Sequence, residues 1–371
     1  MVAVSTGTHR IIPPEKTLEN IAPLFPAVGL TRIADVTHLD DIGIPVSQAV
    51  RPNAKTLSVS QGKGVSLHFA KVSAAMEAIE LWHAEEFNSV AVVASVREIG
   101  PSLGYSPFRL PLQNRSLLSL DSRLSWVTAR QLLSDKETHV PFGCVQLDFT
   151  DSRTWRPPLF RPTSNGLASG NNFDEALLHA LYELLERDTL ARVGEDWKRY
   201  RTGTSYIKGT SSELLDKYIQ SEVSVGVYDF TRISHIPCFG ARIWSRSFPS
   251  VFMGSGCHAD PDIALSRALT EAAQSRLTAI TGSRDDISPQ MYEWIKSSGK
   301  IKDPLAVEPE LECEKSTNEY VAGLMSEEIE IASRVIEKRS GVLPVVVNMT
   351  QPGIGVSVVR VISPGLLAGG A

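Results

Sequence analysis

Three segments of this 371-residue chain repeat one spacing: an alanine, a glutamate three residues later, and a glutamate or glutamine after three more. These cassettes are Ala74–Glu80, Ala180–Glu186 and Ala268–Gln274, and each lies in a stretch with helical periodicity. Side chains three residues apart emerge on one face of a helix, where two carboxylates repel each other. A hard cation such as Mg²⁺, which prefers oxygen ligands and often joins carboxylates to phosphates, is the leading explanation for such pairing.

The first cassette belongs to a line of polar side chains along one helix face. Ser73, Glu77 and Glu80 occupy positions i, i+4 and i+7. A solvated acidic face is the ordinary explanation for glutamates on a helix. Here Glu85 and Glu86 are available for solvation, whereas Glu77 and Glu80 alternate with apolar residues. We therefore favour a functional role, because the pattern recurs in two other segments.

The second cassette follows a segment rich in asparagine and glycine. Asn165-Gly166 and Gly170-Asn171 permit tight turns and a close approach of backbone N–H groups to an anion at a helix start. The predicted helix that follows carries four charged side chains, Glu175, Glu183, Glu186 and Arg187. The guanidinium is suited to offset the carboxylates or to bind a phosphate through its planar fork. The simpler alternative is a turn before an amphipathic helix with ordinary ion pairs.

The third cassette places Arg267 four residues before Glu271. Such a pair is usually a surface ion pair that contributes a few tenths of a kcal/mol. Its weight comes from the recurrence of the spacing.

Composition excludes several function classes. The formal net charge of -5 gives no overall electrostatic reason to bind nucleic acid or a membrane surface. No apolar run reaches the roughly eighteen residues of a membrane span, and the first sixteen residues lack the pattern of a signal peptide. We therefore expect a cytoplasmic protein with no nucleic-acid or membrane partner.

The four cysteines are widely separated and form no C-x-x-C pair, so a zinc site built from them is not expected. Reduced cysteines in a cytosolic protein are the better explanation. Cys257 stands next to His258, which leaves a nucleophilic cysteine as an alternative, but the sequence shows no group to orient the pair.

The periodicity predicts helices at about residues 66–88, 173–193, 261–280 and 326–339, and a short helical piece near Ala129–Ser134. Asp260 is a plausible N-cap for the third helix, with proline at its first turn. Strand-like runs are interspersed with these helices without a regular alternation, which predicts an α+β fold. We expect one domain over residues 1–371, with a weak boundary near 150–165.

Two familiar nucleotide signatures are missing from the chain: a GxxxxGK[ST] phosphate loop, and a GxGxxG between a strand and a helix. If a nucleotide is bound, several helices must bring their carboxylates together around its metal ions instead.

These motifs together resemble the YcaO family, over most of the chain. The matching blocks are Gln61–Gly64 with Ser73, Glu77 and Glu80; Ser164–Gly170 with the helix Glu175–Asp188; and Leu265–Arg276. Two earlier segments, Thr31–Thr37 and Ser58–Gly64, are similar to the bacterial branch associated with TfuA partner proteins.

The resemblance implies a YcaO-type fold with mixed or antiparallel sheets and long helices that converge on a nucleotide site. It implies ATP-dependent phosphorylation of a peptide backbone amide, followed by attack of a nucleophile on the activated carbon. A side-chain thiol or hydroxyl then gives an azoline, external sulfur gives a thioamide, and an amine gives an amidine. ATP and Mg²⁺ are the implied cofactors, a peptide or protein is the implied substrate, and a homodimer is reasonable.

The same resemblance implies roles for individual residues. The carboxylates at the Mg²⁺ site are Glu77, Glu80, Glu183 and Glu186. The residues implied at the nucleotide are Arg10, Ser73, Asn171, Glu175, Arg187, Arg267 and Glu271. No residue is assigned to the chemical step itself.

Two departures from the family pattern narrow the expected reaction. Glu80 is followed by Leu81 where many relatives have arginine, which removes one cation. Residues Ser363–Ala371 lack the PxPxP pattern typical of azoline-forming members. We therefore expect thioamide formation with a TfuA-like partner. The alternatives are an azoline-forming cyclodehydratase, a stand-alone amidine-forming variant, and an ATP-binding accessory factor for ribosomal-protein methylthiolation.

Overall fold

Helices and strands alternate irregularly in the computed structural model of the chain, which describes residues 9–150, 157–204, 207–284, 286–287, 292–293, 302–306 and 324–367. The helices are α1 Pro14–Ile21, α2 Leu67–Glu86, α3 Val96–Leu103, α4 Phe173–Val193, α5 Thr210–Gln220, α6 Thr231–Ser234, α7 Pro261–Thr281 and α8 Met325–Ser340. The strands are β1 Arg32–Asp35, β2 Val46–Val50, β3 Val59–Lys63, β4 Val92–Ser95, β5 Arg123–Gln131, β6 Glu137–Pro141, β7 Leu167–Gly170, β8 Arg201–Thr202, β9 Ser224–Asp229, β10 Cys238–Trp244, β11 Phe252–Cys257, β12 Val345–Asn348 and β13 Ser357–Ile362.

The chain forms two compact units. The first unit draws on Met1–Pro52, Leu57–Ala78 and Arg192–Ala322, and the second on Asn53–Thr56, Ile79–Ala191 and Gly323–Ala371. Helix α2 therefore begins in the first unit and ends in the second. These divisions lie away from residues 150–165, and the expectation of a single domain stays a prediction.

The first unit contains two antiparallel sheets, ordered β1-β2-β3 and β11-β10-β9-β8. Helix α7 packs along β11 and β10, and its buried face contributes Leu265 and Leu269 to a core that also holds Ile243. The predicted helix start is confirmed: the Asp260 side chain accepts hydrogen bonds from two N–H groups of the first turn, and Pro261 follows it.

The second unit contains one sheet, ordered β4-β5-β12-β13-β7, with β6 paired to β5. All of its pairings are antiparallel. The interspersed helices and antiparallel sheets confirm the predicted α+β class.

The expected helical piece near Ala129–Ser134 is wrong. Residues Arg123–Gln131 form β5, which pairs with β4, β6 and β12. Trp126 and Val127 of this strand are almost fully buried. Neighbouring strands and burial decide the conformation here, and both outweigh local helix propensity.

Some predictions fall partly outside the described residues. These are the signal-peptide prediction for residues 1–8, the boundary near 151–156, Cys313, and the final residues 368–371. Among the described cysteines, Cys144, Cys238 and Cys257 are buried and form no disulfide. Within the described residues, none of the helices combines the length and apolar character that crossing a membrane requires.

Candidate functional site

Each of the three cassette helices touches a strand at a glycine. A Cβ on Gly62 of β3 would lie 2.0 Å from the backbone nitrogen of Ala74, the first residue of its cassette. A Cβ on Gly254 of β11 would lie 2.2 Å from the carbonyl oxygen of Ala268, the corresponding residue of the third cassette. Real Cβ atoms essentially never come closer than 3.0 Å. Only glycine permits this direct contact between strand and helix backbones.

The second cassette helix has one such glycine beside it, and another closely packed glycine lies in the turn before the helix. A Cβ on Gly170 of β7 would lie 2.4 Å from the backbone nitrogen of Ala176 in α4. Gly166 has φ +79°, and a Cβ there would lie 2.2 Å from the carbonyl oxygen of Val361. The turn before α4 therefore requires glycine both for its conformation and for its space.

This close packing lets carboxylates on the helices accept hydrogen bonds from backbone N–H groups of the strand or turn. In the first unit, Glu77 Oε2 accepts from the Gln61 N–H at 3.1 Å. In the second unit, Glu80 Oε1 accepts from the N–H of Ser169 at 2.9 Å and from its hydroxyl at 2.6 Å. The donors Gln61 and Ser169 each adjoin one of the packed glycines. Backbone contact thus fixes the positions of the helices, and the backbone N–H groups orient the carboxylates of Glu77 and Glu80.

In the first unit, Glu77 and Glu271 share the neighbourhood of Lys63. The Lys63 ammonium lies 2.7 Å from Glu271 Oε2. Burial raises the pKa of the Glu77 carboxyl, and the negative charge of Glu271 adds to that rise, whereas Arg284 and Lys63 oppose it. The guanidinium of Arg284 is itself paired with Asp286. The structure therefore brings together the predicted site residues Glu77 and Glu271, with two cations that the prediction did not include.

The predicted basic residues Arg10 and Arg267 also lie near each other in the first unit, around His258. His258 is buried, and its Nδ1 accepts a hydrogen bond from the N–H of Asp260 at 2.9 Å. Burial lowers the pKa of His258 well below its usual value, and the positive charges of Arg267 and Arg10 lower it further. The imidazole is therefore neutral near pH 7.

Arg267 and Ser73, both predicted at the nucleotide, have well-defined neighbours in the first unit. The Arg267 guanidinium donates to the carbonyl oxygen of Cys257 at 3.3 Å. Ser73 is half-buried on α2, where its backbone lies against Gly62. The thiol of Cys257 is fully buried, which does not favour the alternative of a nucleophilic cysteine.

In the second unit, Glu183 makes one long ion pair and one backbone hydrogen bond. Its Oε2 accepts from the Gly166 N–H at 3.3 Å, and the nearest Arg187 nitrogen lies 3.9 Å from Oε1. Burial raises the pKa of the Glu183 carboxyl to about 7, and the neighbouring carboxylate of Glu186 contributes to that rise. Glu186 is buried, whereas the side chain of Arg187 is 45% exposed.

Arg360 of β13 is a buried cation whose charge also acts on Glu183. Its guanidinium donates to the carbonyl oxygens of Cys144, at 3.2 Å, and Thr163. Within the described residues, its buried Nη1 has no hydrogen-bond partner. Burial lowers the pKa of Arg360 to about 10, and the charge of Glu183 opposes that change.

Asn171 and Glu175, both predicted at the nucleotide, are hydrogen-bonded to each other. The Asn171 amide nitrogen lies 3.0 and 3.2 Å from the two carboxylate oxygens of Glu175, and its backbone N–H donates to Oε1 at 3.2 Å. The N–H of Glu175 donates to Asn172 Oδ1 at 2.8 Å. The start of α4 is therefore held in one conformation by side-chain capping.

The donor set fits Mg²⁺. Half-buried carboxylates with raised pKa, such as Glu77 and Glu183, are poorly compensated by the cations near them, and a divalent ion is the natural remedy. Within each unit the predicted residues are grouped as described. That the two groups share one Mg²⁺–nucleotide site stays a prediction.

Three residues near these groups, Lys63, His258 and Arg360, were not among the predicted site residues. Lys63 lies between two glycines in the segment Gln61–Gly64, and His258 follows Cys257 in the segment Gly254–His258. The sequence does not show that Lys63 lies near Glu271 or that His258 lies near Arg10 and Arg267. Arg360 lies in strand Ser357–Ile362, where all residues after the initial serine are otherwise apolar. A lone arginine in such a run is a signal that a search for buried charges would find.

Comparison with known proteins identifies the family. The family model described as the ATP- and Mg²⁺-binding YcaO cyclodehydratase matches residues 61–367. The chain belongs to the YcaO family. The resemblance stated from the motifs is thereby confirmed, and so are the predicted cofactors, ATP and Mg²⁺.

Two relatives span nearly the whole chain. An uncharacterized protein of Mycobacterium tuberculosis is 37% identical over 375 residues, which cover 100% of this chain and 85% of the relative. A protein of Rhizobium leguminosarum bv. trifolii, named as an uncharacterized protein in the tfuA 3′ region, is 36% identical over 98% of this chain and 90% of its own length.

Two solved structures share the fold. The YcaO protein of Methanopyrus kandleri, bound with AMPPCP and Mg²⁺, has a TM-score of 0.72 at 22% identity and covers 98% of this chain and 94% of that chain. A heterocyclase in complex with substrate and cofactor has a TM-score of 0.77 at 21% identity over 99% of this chain. The chain spans only 54% of that heterocyclase. The predicted YcaO-type fold is confirmed.

Proposed function

We propose that this YcaO protein uses ATP to activate a peptide backbone amide for thioamide formation, together with a TfuA-like partner. The observation that carries this proposal is the relative from the tfuA 3′ region, which matches 98% of the chain at 36% identity. A cytoplasmic location and a homodimer belong to the same proposal and stay predictions.

The carboxylates that would hold Mg²⁺ are Glu77, Glu80, Glu183 and Glu186. The nucleotide would be held by Asn171, Glu175 and the arginines Arg10, Arg187 and Arg267. Bound Mg²⁺–ATP supplies a phosphoryl group whose charge the metal neutralises. Glu77 and Glu80 are already aimed by backbone N–H donors, so little side-chain entropy remains to be lost on metal binding. His258, which Arg10 and Arg267 help to keep neutral, adds no charge to those two cations.

The reaction follows from the chemistry of amides. An amide oxygen is a poor leaving group, and its phosphorylation makes it a good one. Sulfur that attacks the activated carbon then replaces the oxygen and gives a thioamide. The site must therefore exclude water, which would return the original amide.

The proposal is tested by incubating the protein with a TfuA-like partner, ATP, sulfide and a candidate peptide, followed by mass spectrometry. Exchange of oxygen for sulfur raises the peptide mass by about 16 Da, the signature of external sulfur as nucleophile. ATP hydrolysis without any peptide product contradicts the proposal.

A second candidate is azoline formation, which the cyclodehydratase description of the family and the heterocyclase neighbour favour. The same incubation without sulfide distinguishes it, since closure of a side-chain nucleophile on the amide removes water, about 18 Da.

An ATP-binding accessory role predicts calorimetric binding of ATP without single-turnover phosphate release.

The metal assignment has its own test. We expect Glu183→Gln and Glu186→Gln each to lower Mg²⁺-dependent ATP affinity by about 100-fold or more, because each removes a charged ligand. Glu86→Gln is the matched control, since Glu86 is an exposed glutamate of α2 paired with Lys55. Full Mg²⁺-dependent affinity in both α4 variants, with unchanged circular dichroism, contradicts the assignment.

A further inference from the structure

Lys63 lies at the end of β3, where it is largely buried and has two glutamates as neighbours. Its ammonium lies 2.7 Å from Glu271 Oε2, and the two side chains are only 23% and 25% exposed. Its charge also acts on the carboxylate of Glu77. Both glutamates belong to the predicted Mg²⁺–nucleotide site, whereas Lys63 has no role in the set of residues described so far.

The backbone beneath Lys63 is held by close packing, and its charge lies at the end of a long side chain. The preceding residue, Gly62, is packed against the backbone of α2, and the Gln61 N–H is bonded to Glu77. The lysine stem has four rotatable carbons and carries a compact charge with three donors. A firmly placed strand therefore presents a cation that can change partners without moving the fold.

We propose that Lys63 is a further nucleotide-binding residue, which neutralises Glu271 in the metal-free protein and turns to a phosphate oxygen when magnesium nucleotide binds. Lysine binds phosphate as a point charge. The divalent ion supplies the positive charge that Glu271 and Glu77 lose when the ammonium turns away. The inference rests on the proposed use of ATP by this site, and it adds a residue that the three cassettes do not contain.

Calorimetric titration tests the proposal with two ligands, Mg²⁺ alone and Mg²⁺ with the non-hydrolysable nucleotide AMPPCP. We expect Lys63→Met to lower the affinity for magnesium nucleotide by about tenfold, the loss of one charge-assisted hydrogen bond. The affinity for Mg²⁺ alone should be unchanged or slightly higher, because a competing positive charge has been removed. Lys63→Arg keeps the charge and should remain within a few-fold of the wild type.

A lysine that serves only to position Glu271 predicts a different result, namely equal losses for both ligands in Lys63→Met. Equal losses, or an unchanged nucleotide affinity, overturn the proposal. Lys55→Met is the matched control, since Lys55 also pairs with a glutamate of α2, Glu86, at 2.8 Å. A wild-type protein that binds no magnesium nucleotide overturns the proposed function as well. Wild-type binding that Lys63→Met leaves intact overturns the role of Lys63 alone.

Discussion

The two units each place a cation beside a cassette glutamate, but the cations differ in kind. In the first unit the cation is Lys63, about a quarter exposed, on a flexible stem and paired with Glu271. In the second unit it is Arg360, which is 3% exposed and bonded to the carbonyl oxygens of Cys144 and Thr163. We propose that the first charge exchanges partners, whereas the second is part of the framework that shapes the turn before α4.

The largest expected effect tests this difference through stability. Arg360→Met leaves two buried carbonyl groups without their donor and removes a charge near Glu183, so we expect a loss of about 3–5 kcal/mol in the free energy of unfolding. Lys63→Met should cost less than about 1 kcal/mol, because its ion pair is partly solvated. Urea unfolding followed by circular dichroism measures both. Similar costs for the two substitutions would mean that the two cations are not distinct in kind.

The packed glycines give a second comparison, in which the units are expected to agree. Gly62→Ala places a Cβ against the backbone of α2, and Gly170→Ala does the same against α4. Backbone cannot yield as a flexible side chain does, so we expect each to cost about 2–3 kcal/mol by overpacking.

Gly100 provides the control for these substitutions. It lies inside α3, and a Cβ there would meet nothing within 4 Å. Gly100→Ala should therefore stabilise the protein by about 0.5–1 kcal/mol through helix propensity. Thermal unfolding of the three variants gives the order. A Gly62→Ala protein as stable as Gly100→Ala would show that the strand and the helix are not in backbone contact.

These glycines show what the sequence did and did not predict. The long helices were predictable because their apolar spacing and the Asp260–Pro261 cap are local signals. The cassettes were interpreted through their glutamates alone, yet the alanines of the first and third cassettes are equally informative. Ala74 and Ala268 are small because a strand glycine packs on them. Gly62 lies twelve residues before Ala74, and Gly254 lies fourteen residues before Ala268. Each glycine therefore lies outside the helix on which it packs, and the periodicity of that helix does not reveal it.

Tertiary context explains the failures. The segment around Ala129 became a strand because three other strands pair with it, one of which, β12, lies more than two hundred residues away. Residues 167–170, for which no strand was predicted, form β7 through pairing with β13. Burial of Arg360 and the ion pair of Lys63 likewise depend on such long-range neighbours. Local patterns identify a helix and its carboxylates, but they do not identify the groups that oppose those charges.

A third comparison uses pH. The pKa of Glu183 is raised from 4.5 to about 7, chiefly by burial, so the folded protein holds a proton there that the unfolded chain releases near pH 4.5. The stability from this group is complete below pH 4.5 and is lost as the pH rises through 7. Because the side chain is 24% exposed, we expect the wild type to lose about 1–2 kcal/mol relative to Glu183→Gln between pH 5 and pH 8.

The measurement is the urea midpoint of both proteins at several pH values in the absence of Mg²⁺. Glu77→Gln should show a smaller effect in the same direction, because Arg284 and Lys63 oppose the rise in the pKa of Glu77. Glu86→Gln, at an exposed ion pair, should leave the profile unchanged. Parallel profiles for wild type and Glu183→Gln would mean that Glu183 is ionised in the folded protein at pH 6.

The smallest expected effect concerns how firmly each unit aims its glutamate. Glu80 accepts two hydrogen bonds from Ser169, at the N–H and at the hydroxyl, whereas the bond to Glu77 comes from the N–H of Gln61. Ser169→Ala removes the hydroxyl and keeps the backbone donor, so we expect a loss of about 1 kcal/mol in stability.

If the hydroxyl serves to orient Glu80 for a metal ion, the same substitution should weaken Mg²⁺ binding by less than about tenfold, in proportion to the lost hydrogen bond. A double-mutant cycle with Glu80→Gln separates orientation from packing, since only an effect transmitted through the Glu80 carboxylate depends on that residue. A cost of Ser169→Ala that is identical in the wild-type and Glu80→Gln backgrounds would assign the hydroxyl to packing within β7. A cost that falls in the Glu80→Gln background would show that the second unit fixes its carboxylate with two donors from one residue, a constraint that the bond from Gln61 to Glu77 does not match in the first.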